Sequence, residues 1–178
     1  MKKPYFKIKL LNNRAFLPSK RDEDAGFDLY AIHEEDFLIL KPGDIHMFKT
    51  GIAIEIPKDW VFSIYERSST GTKGIATRCG IIDSGFRGEI FIPINNTSNK
   101  PIIFAKHNPK LPIEQSDDKL NLFLAKNKLS KEDITIYPTT KAIAQGMLIY
   151  SPYIEIEEVE ELDGNSDRGE GVLGSTGK

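Results

Sequence analysis

Apolar and polar residues alternate along most of the chain, which predicts a series of short β-strands. Phe6, Ile8 and Leu10 alternate with lysines, as in a strand with one face in water. Similar apolar runs occupy residues 37–40, 51–56, 60–65, 81–82, 89–92, 101–104 and 147–150. Pro93 cannot donate a ladder hydrogen bond, so we expect its strand to lie at a sheet edge or to contain a bulge. Short strands with frequent turn residues predict an all-β sandwich, barrel or jelly roll.

The segment 106–133 departs from this alternation. Residues 116–118 offer a helix cap and first-turn acids, and Leu120, Phe123 and Leu124 then follow at helical spacing. Residues 130–133 form a second cap or a turn. We therefore predict an insert that carries one short amphipathic helix within an otherwise β domain.

Composition and charge restrict the partners that the chain can bind. Its 178 residues fit one domain, and 24 basic against 26 acidic residues give a net charge of −2. A nearly neutral chain has no global field for a nucleic-acid polymer, and no apolar run is long enough for a membrane helix. The single Cys79 excludes an intrachain disulfide and a cysteine-cluster zinc site. We expect a cytoplasmic protein that binds neither nucleic acid nor membrane.

The composition changes after Glu155, where acidic residues precede a glycine-rich end. Such a segment buries too little apolar surface to order itself. We therefore predict a β domain over residues 1–163 and a flexible arm over residues 164–178.

Three short segments combine glycine, hydroxyl residues and a fixed charge: 66–74, 80–89 and 168–177. Glycine lets the backbone approach an anion closely, hydroxyls and amides donate to its oxygens, and arginine adds a bidentate charge. None has the spacing of a Walker loop, and each alone is more often a plain turn. Together they favour the binding of a small phosphorylated compound.

Two carboxylates lie between apolar neighbours, at Asp28 and Asp83. Each could be a turn cap or a surface position of a strand. The alternative is a site in which one carboxylate activates water and the other holds a hydrated magnesium ion. The three histidines, His33, His46 and His107, form no pair at catalytic or metal-ligand spacing, and we interpret them as structural or surface groups.

In order and spacing, five segments resemble the motifs of the trimeric dUTPase family: 24–31, 67–69 with its glycine-rich continuation, 80–89, 143–145 and 168–177. The resemblance implies a jelly-roll-like β-sandwich or barrel that assembles as a homotrimer, with active sites built from more than one subunit. It also implies the hydrolysis of dUTP to dUMP and pyrophosphate, which keeps uracil out of DNA and supplies dUMP for thymidylate synthesis. In that reading Asp83 activates the water that attacks the α-phosphorus, and Asp28 holds Mg²⁺ through its water shell.

The same resemblance implies the substrate contacts. Residues placed near the phosphates are Arg67, Ser68, Ser69, Gln145, Arg168, Gly174, Ser175 and Thr176. Residues placed near the nucleoside, mostly on the hairpin over 77–91, are Thr77, Gly80, Ile81, Ile82, Phe86, Phe91 and Leu173. Main-chain groups would pair with uracil, and the ring of Phe86 would lie against the deoxyribose and exclude a 2′-hydroxyl.

Two other functions remain open at this point. A dCTP deaminase would share the Arg-Ser-Ser and Ile-Asp segments, but it needs a catalytic glutamate where this chain has Pro93. A nucleotide-sensing regulatory module would instead use the insert to dock a protein partner through Leu120, Phe123 and Leu124. The alternative for these three side chains is packing on their own domain.

Overall fold

The strands of the protein are short and form four sheets. The structure is a computed structural model that describes residues 5–78, 80–106 and 113–165. Its strands are β1 Lys7–Leu10, β2 Phe27–Leu29, β3 Phe37–Leu40, β4 Ile45–Lys49, β5 Ile52–Glu55, β6 Trp60–Tyr65, β7 Ile75–Thr77, β8 Ile81–Asp83, β9 Phe91–Asn96, β10 Ile102–Ala105, β11 Thr135–Pro138 and β12 Ala144–Tyr150. Two α-helices, α1 Ser68–Gly71 and α2 Ile113–Lys126, and a 3₁₀ turn at Lys131–Asp133 complete the described part.

The sheets surround a main apolar core. Their strand orders are β1-β5, β11-β10-β3, β2-β12-β6-β8 and β4-β9-β7, and all neighbours are antiparallel except β10 and β11. Apolar residues from all four sheets contribute to this core, in which Phe48, Phe62 and Phe104 are fully buried. The predicted all-β fold is confirmed.

Pro93 does not lie where the sequence pattern suggested. Its strand β9 is the central strand of β4-β9-β7, and the register with β4 runs from Ile45 to Lys49 without a bulge. The carbonyl oxygen of Pro93 accepts the N–H of Arg78, just past the end of β7. The missing N–H of a proline points to the same side as its carbonyl, so the ladder loses its donor only where β7 has already ended. The expectation of an edge strand or a bulge was wrong for this reason.

The insert contains the predicted helix, but α2 begins at Ile113, before the expected cap at residues 116–118. Leu120 and Leu124 are buried in a small cluster with Ile103 of β10 and Ile134. Phe123 packs against the ring of Phe37 with 4.9 Å between centroids. The side chains considered for docking a partner therefore cover the domain's own sheet.

Helix α2 is the longer helix within the described ranges, and neither it nor α1 has the length and apolar character needed to cross a membrane.

Candidate active site

A polar cavity of about 830 Å³ lies where β2, β12 and the start of α1 meet. In the sheet Asp28 of β2 is opposite Gln145 of β12, which in turn is opposite Tyr65 at the end of β6. The chain leaves β6 at Tyr65 and turns at once into residues 66–69, so Arg67 arrives beside Asp28. The cavity is lined by Ser19, Lys20, Arg21, Asp24, Ala25, Gly26, Asp28, Arg67, Ser68, Ser69, Gln145 and Met147.

A bidentate ion pair between Asp28 and Arg67 forms one wall of this cavity. Arg67 Nε lies 2.8 Å from Asp28 Oδ1, and Arg67 Nη2 donates to Asp28 Oδ2 at 3.1 Å. The third donor, Nη1, reaches the carbonyl oxygen of Ala142 at 3.0 Å. Fork-shaped pairing of this kind is stronger and more directional than a contact with a point charge. The pair therefore fixes the guanidinium at the cavity wall.

The turn after Arg67 presents two serines to the cavity. Thr70 is buried, and its hydroxyl both accepts the N–H of Arg67 at 3.1 Å and donates to the Arg67 carbonyl at 2.8 Å. This closed arrangement holds the turn rigidly, while Ser68 and Ser69 remain exposed on its outer side. Both serines line the cavity, and Ser69 Oγ also accepts a hydrogen bond from Arg67 Nη1 at 3.4 Å.

Gln145 is held at the cavity wall by its neighbours. Its Nε2 donates to the carbonyl oxygen of Glu66 at 2.8 Å. Glycine at position 26 makes room for it, because a Cβ there would lie 2.7 Å from Gln145 Oε1. Gly146 likewise lets the ring of Phe62 pass, since a Cβ would lie 2.1 Å from its Cζ.

Two cations at the rim, Lys20 and Arg21, were missed by the sequence analysis. Arg21 makes a bidentate pair with Asp24 at 3.0 Å for both contacts, and the hydrogen bond from Arg21 lowers the pKa of Asp24. Lys20 Nζ donates to the carbonyl oxygen of Asp24 at 3.0 Å. Arg21 and Arg67 are each paired with a carboxylate. Among the described residues that line the cavity, Lys20 is therefore the cation that has no carboxylate partner. The Lys-Arg dipeptide just before the segment 24–31 was the available signal.

A second cavity, of about 590 Å³, lies between β6 and the base of the predicted hairpin. Thr77, Gly80 and Ile81 line it, together with Ser63, Ile64, Tyr65 and Glu66. The lining is more apolar than polar. Three of the residues predicted to contact the nucleoside are therefore gathered here, separately from those predicted to contact the phosphates.

Asp83 is far from Asp28 within one chain. The two residues lie on β8 and β2, at opposite edges of the sheet β2-β12-β6-β8. Asp28 is in register with Tyr65 of β6 through Gln145, whereas Asp83 is opposite Val61 of the same strand. Three strand spacings across the sheet and four residues along β6 give a separation of about 20 Å. Asp83 is exposed and lines neither cavity.

The remaining predicted residues lie apart from both cavities or beyond the described ranges. Phe86 is exposed in the turn after β8, Ile82 packs against the core, and Phe91 is half-buried on β9. Five predicted residues lie outside the described residues: Arg168, Leu173, Gly174, Ser175 and Thr176.

Direct metal ligands are not clustered in the part of the chain that the structure describes: no group of three or more His, Cys, Asp or Glu side chains is placed to hold an ion. Asp28 has both oxygens paired with Arg67, yet about a third of its side chain is exposed to the cavity. That geometry fits contact with a hydrated magnesium ion through water, since this ion retains several waters and binds mainly to substrate phosphates.

An all-β domain with a cavity formed by an Arg–Asp fork, two exposed serines and a glutamine is suited to binding a small phosphorylated compound. The family model described as dUTPase matches residues 12–108. A deoxyuridine 5'-triphosphate nucleotidohydrolase of Nautilia profundicola is 33% identical over 176 residues, covering 97% of this chain and 98% of that protein. The chain belongs to the dUTPase family, and the enzyme class predicted from the sequence, a hydrolase of the dUTP diphosphatase type, is confirmed.

Solved structures of phage proteins share the fold. A mutant dUTPase of Staphylococcus bacteriophage 80alpha with dUpNHpp has a TM-score of 0.71 and 24% identity, and the match covers 98% of this chain and 99% of that one. A mutant dUTPase from phage phi11 of S. aureus, described with a structural Mg(II) ion, has a TM-score of 0.62 and 22% identity, with 89% and 99% covered. The family match and the named relative favour dUTP hydrolysis over the dCTP deaminase alternative.

Proposed function

We propose that the protein hydrolyses dUTP to dUMP and pyrophosphate in a homotrimer whose active sites each combine the first cavity of one subunit with the hairpin over 77–91 of another. The observation that carries the proposal is the joint placement of Asp28, Arg67 and Gln145 around one cavity in a member of the dUTPase family. The relatives named above act on deoxyuridine 5'-triphosphate, which supports the choice of substrate.

The position of Asp83 supports a site shared between subunits. A general base must lie within hydrogen-bond reach of the proton that it removes, and reacting atoms must be about 3–3.5 Å apart. A separation of about 20 Å between Asp83 and Asp28 in one chain prevents both from acting on the same phosphate group. A second copy brings its own Asp83 to the cavity.

The segment after β12 supports self-association as well. Residues 151–165 extend from the domain without joining a sheet, and their apolar side chains are exposed, including Ile156 at 93% and Leu162 at 87%. Exposed apolar residues that alternate with acids are typical of a segment that completes its packing on another surface. A second copy of the chain is the occupant that the proposed trimer supplies.

In the proposed reaction, the carboxylate of Asp83 accepts the proton of a water molecule as that water attacks the α-phosphorus of dUTP. The bond from this phosphorus to its bridging oxygen breaks, and pyrophosphate leaves. Arg67, Ser68 and Ser69 hold the phosphate oxygens by charge and hydrogen bonds and fix the angle of attack. Arg168, with the segment 174–176, would close over the triphosphate and exclude water. Magnesium, contacted by Asp28 through water, would neutralise phosphate charge.

Selection of the base is assigned to the second cavity. Main-chain groups near Gly80 and Ile81 offer a fixed pattern of donors and acceptors, and a base with another pattern leaves buried polar groups unpaired. Phe86 would contact the deoxyribose. A tight fit around the base would exclude the thymine methyl group.

The direct test supplies purified protein with dUTP, dTTP, dCTP and UTP, with and without Mg²⁺, and measures dUMP and pyrophosphate. We expect products from dUTP alone and loss of activity after chelation. Asp83→Asn is expected to lower kcat by about 10²–10⁴. Asp44→Asn, at an exposed turn that lines neither cavity, is the control. Ammonia released from dCTP, or full activity in Asp83→Asn, would refute the proposal.

A complementation experiment tests the shared site. The Arg67→Ala protein and the Asp83→Asn protein are each first produced alone, and the two chains are then co-expressed. If each site takes Arg67 and Asp83 from different subunits, mixed trimers contain some intact sites and recover part of the activity. If both residues act within one chain, every site in the mixture carries a defect and no activity returns. Light scattering of the unmixed protein checks the trimer.

A further inference from the structure

Glu66 lines the second cavity and contacts a residue at the wall of the first. Its main-chain carbonyl accepts the hydrogen bond from Gln145 Nε2 at 2.8 Å, at the wall of the first cavity. Its carboxylate oxygen Oε1 accepts the main-chain N–H of Thr77 at 3.1 Å, in the second cavity. It directly precedes Arg67, whose guanidinium pairs with Asp28.

The N–H of Thr77 needs this acceptor. Strand β7 is the edge strand of β4-β9-β7, and the next residue, Arg78, uses its own N–H toward β9. Successive residues of a strand direct their main-chain groups to opposite sides, so the N–H of Thr77 points to the free edge. A carboxylate is an acceptor with no competing donor, and its bond to a backbone N–H is charge-assisted. Glu66 thus replaces a missing strand at the place where the hairpin begins.

The space for the carboxylate is provided by the end of helix α1. A Cβ on Gly71 would lie 3.2 Å from Glu66 Oε2, so any larger residue at 71 would press against the carboxylate. The chain loops from Glu66 through α1 and returns to Thr77, and the hydrogen bond closes this loop across 11 residues. The phosphate-binding turn and the start of the hairpin are therefore fixed relative to each other by one side chain.

We infer that Glu66 is a positioning residue for dUTP hydrolysis, which holds the phosphate-binding turn and the base of the nucleoside-binding hairpin at a fixed spacing. This inference rests on the proposed function. In this role Glu66 does not contact the reacting atoms. Glu66 acts through Thr77 on one side and through Gln145 and Arg67 on the other.

The variants separate the acceptor from the charge. Glu66→Gln keeps an oxygen at the same distance along the side chain, whereas Glu66→Ala removes it. Asp44→Ala is the matched control, because Asp44 Oδ2 also accepts a backbone N–H, that of Lys41 at 3.0 Å, in an exposed turn away from both cavities. Thermal midpoints of all three variants show how much each loses in global stability.

We expect Glu66→Ala to lower kcat/KM for dUTP about tenfold, because one charge-assisted hydrogen bond is lost. The change should appear mainly in kcat. Glu66→Gln is expected within about threefold of wild type, and Asp44→Ala unchanged. Inhibition by inorganic pyrophosphate, which occupies only the phosphate end, is expected to stay the same in all variants. Wild-type kcat/KM in Glu66→Ala, or an equal loss in Glu66→Gln, would overturn the inference.

A readout independent of activity is hydrogen exchange at the amide of Thr77. We expect exchange to be about tenfold faster in Glu66→Ala than in wild type, and unchanged in Asp44→Ala. Unchanged exchange in Glu66→Ala would refute the role of Glu66 whether or not the enzyme is active. If the wild-type protein does not hydrolyse dUTP while the Thr77 amide still exchanges faster in Glu66→Ala, the result would instead refute the proposed function and with it the catalytic role of Glu66.

Discussion

Replacing Arg67 with lysine tests whether the fork between Arg67 and Asp28 organises the first cavity. The guanidinium makes two contacts with Asp28 at 2.8 and 3.1 Å, one with the carbonyl oxygen of Ala142 at 3.0 Å, and a longer one with Ser69 Oγ at 3.4 Å. Lysine retains the charge but presents a single ammonium group, which can satisfy one of these acceptors well. We therefore expect the loss of about two charge-assisted hydrogen bonds.

The magnitude follows from the contacts and the exposure of the pair. Each bond of this kind contributes about 1.5–3 kcal/mol when it is buried. The side chains of Arg67 and Asp28 are 27% and 32% exposed, so solvent screens part of the interaction. About half of the buried value remains, which gives about 2 kcal/mol in the free energy of unfolding, or about 30-fold in an equilibrium constant.

The assay combines urea unfolding at one fixed protein concentration with kcat/KM for dUTP. A double-mutant cycle with Asp28→Asn isolates the pair, and we expect a coupling free energy of about 1–2 kcal/mol. Arg21→Lys is the control, because Arg21 forms the same bidentate geometry with Asp24 but is 89% exposed. That control should change stability by at most about 0.5 kcal/mol. Equal effects at positions 67 and 21, or no coupling in the cycle, would refute the reasoning.

Three further predictions concern packing, pH and the C-terminal arm. Gly146→Ala places a Cβ 2.1 Å from Phe62 Cζ in the core, so we expect the free energy of unfolding in urea to fall by about 1–3 kcal/mol. Gly43→Ala is the control, because Gly43 has open space around it and the variant should show only the strain of its positive φ. Burial lowers the pKa of His33 below its usual 6.5, so the unfolded chain binds more protons below that pH. The free energy of unfolding should therefore fall as pH drops below about 6.5, by at most about 1.4 kcal/mol per unit, and His33→Leu should flatten this part of the curve. Removing residues from Asp167 onward should reduce turnover severely while light scattering still shows the oligomer; normal turnover would contradict the role assigned to Arg168.

Much of the fold could be predicted from local pattern alone. The apolar runs over residues 37–40 and 60–65 match β3 and β6 residue for residue, because a short apolar run bounded by turn residues favours a strand. Strands of three residues, such as β2 and β7, are too short to show a period and were missed. The prediction for Pro93 failed because the free-energy cost of a proline in a sheet depends on where the neighbouring strand ends. That is a property of strand pairing and not of the residue itself.

Some features of the candidate site could also be predicted from the sequence, and others could not. The residue types needed for phosphate binding were visible in the sequence because motifs such as 67–69 keep their chemistry within a few consecutive positions. The sequence could not show that Arg67 pairs with Asp28, 39 residues away, or that Glu66 reaches Thr77, since those contacts depend on how β2, β12 and β6 align.

The amino-acid sequence determined the longer strands, the family and the chemical groups available for catalysis, because each is encoded in short-range order. Tertiary structure decided which groups meet. Sheet register brought Asp28, Arg67 and Gln145 to one cavity and left Asp83 about 20 Å away across the same sheet. Register is set by the burial of whole strands against a common core, and no local stretch of sequence contains that information.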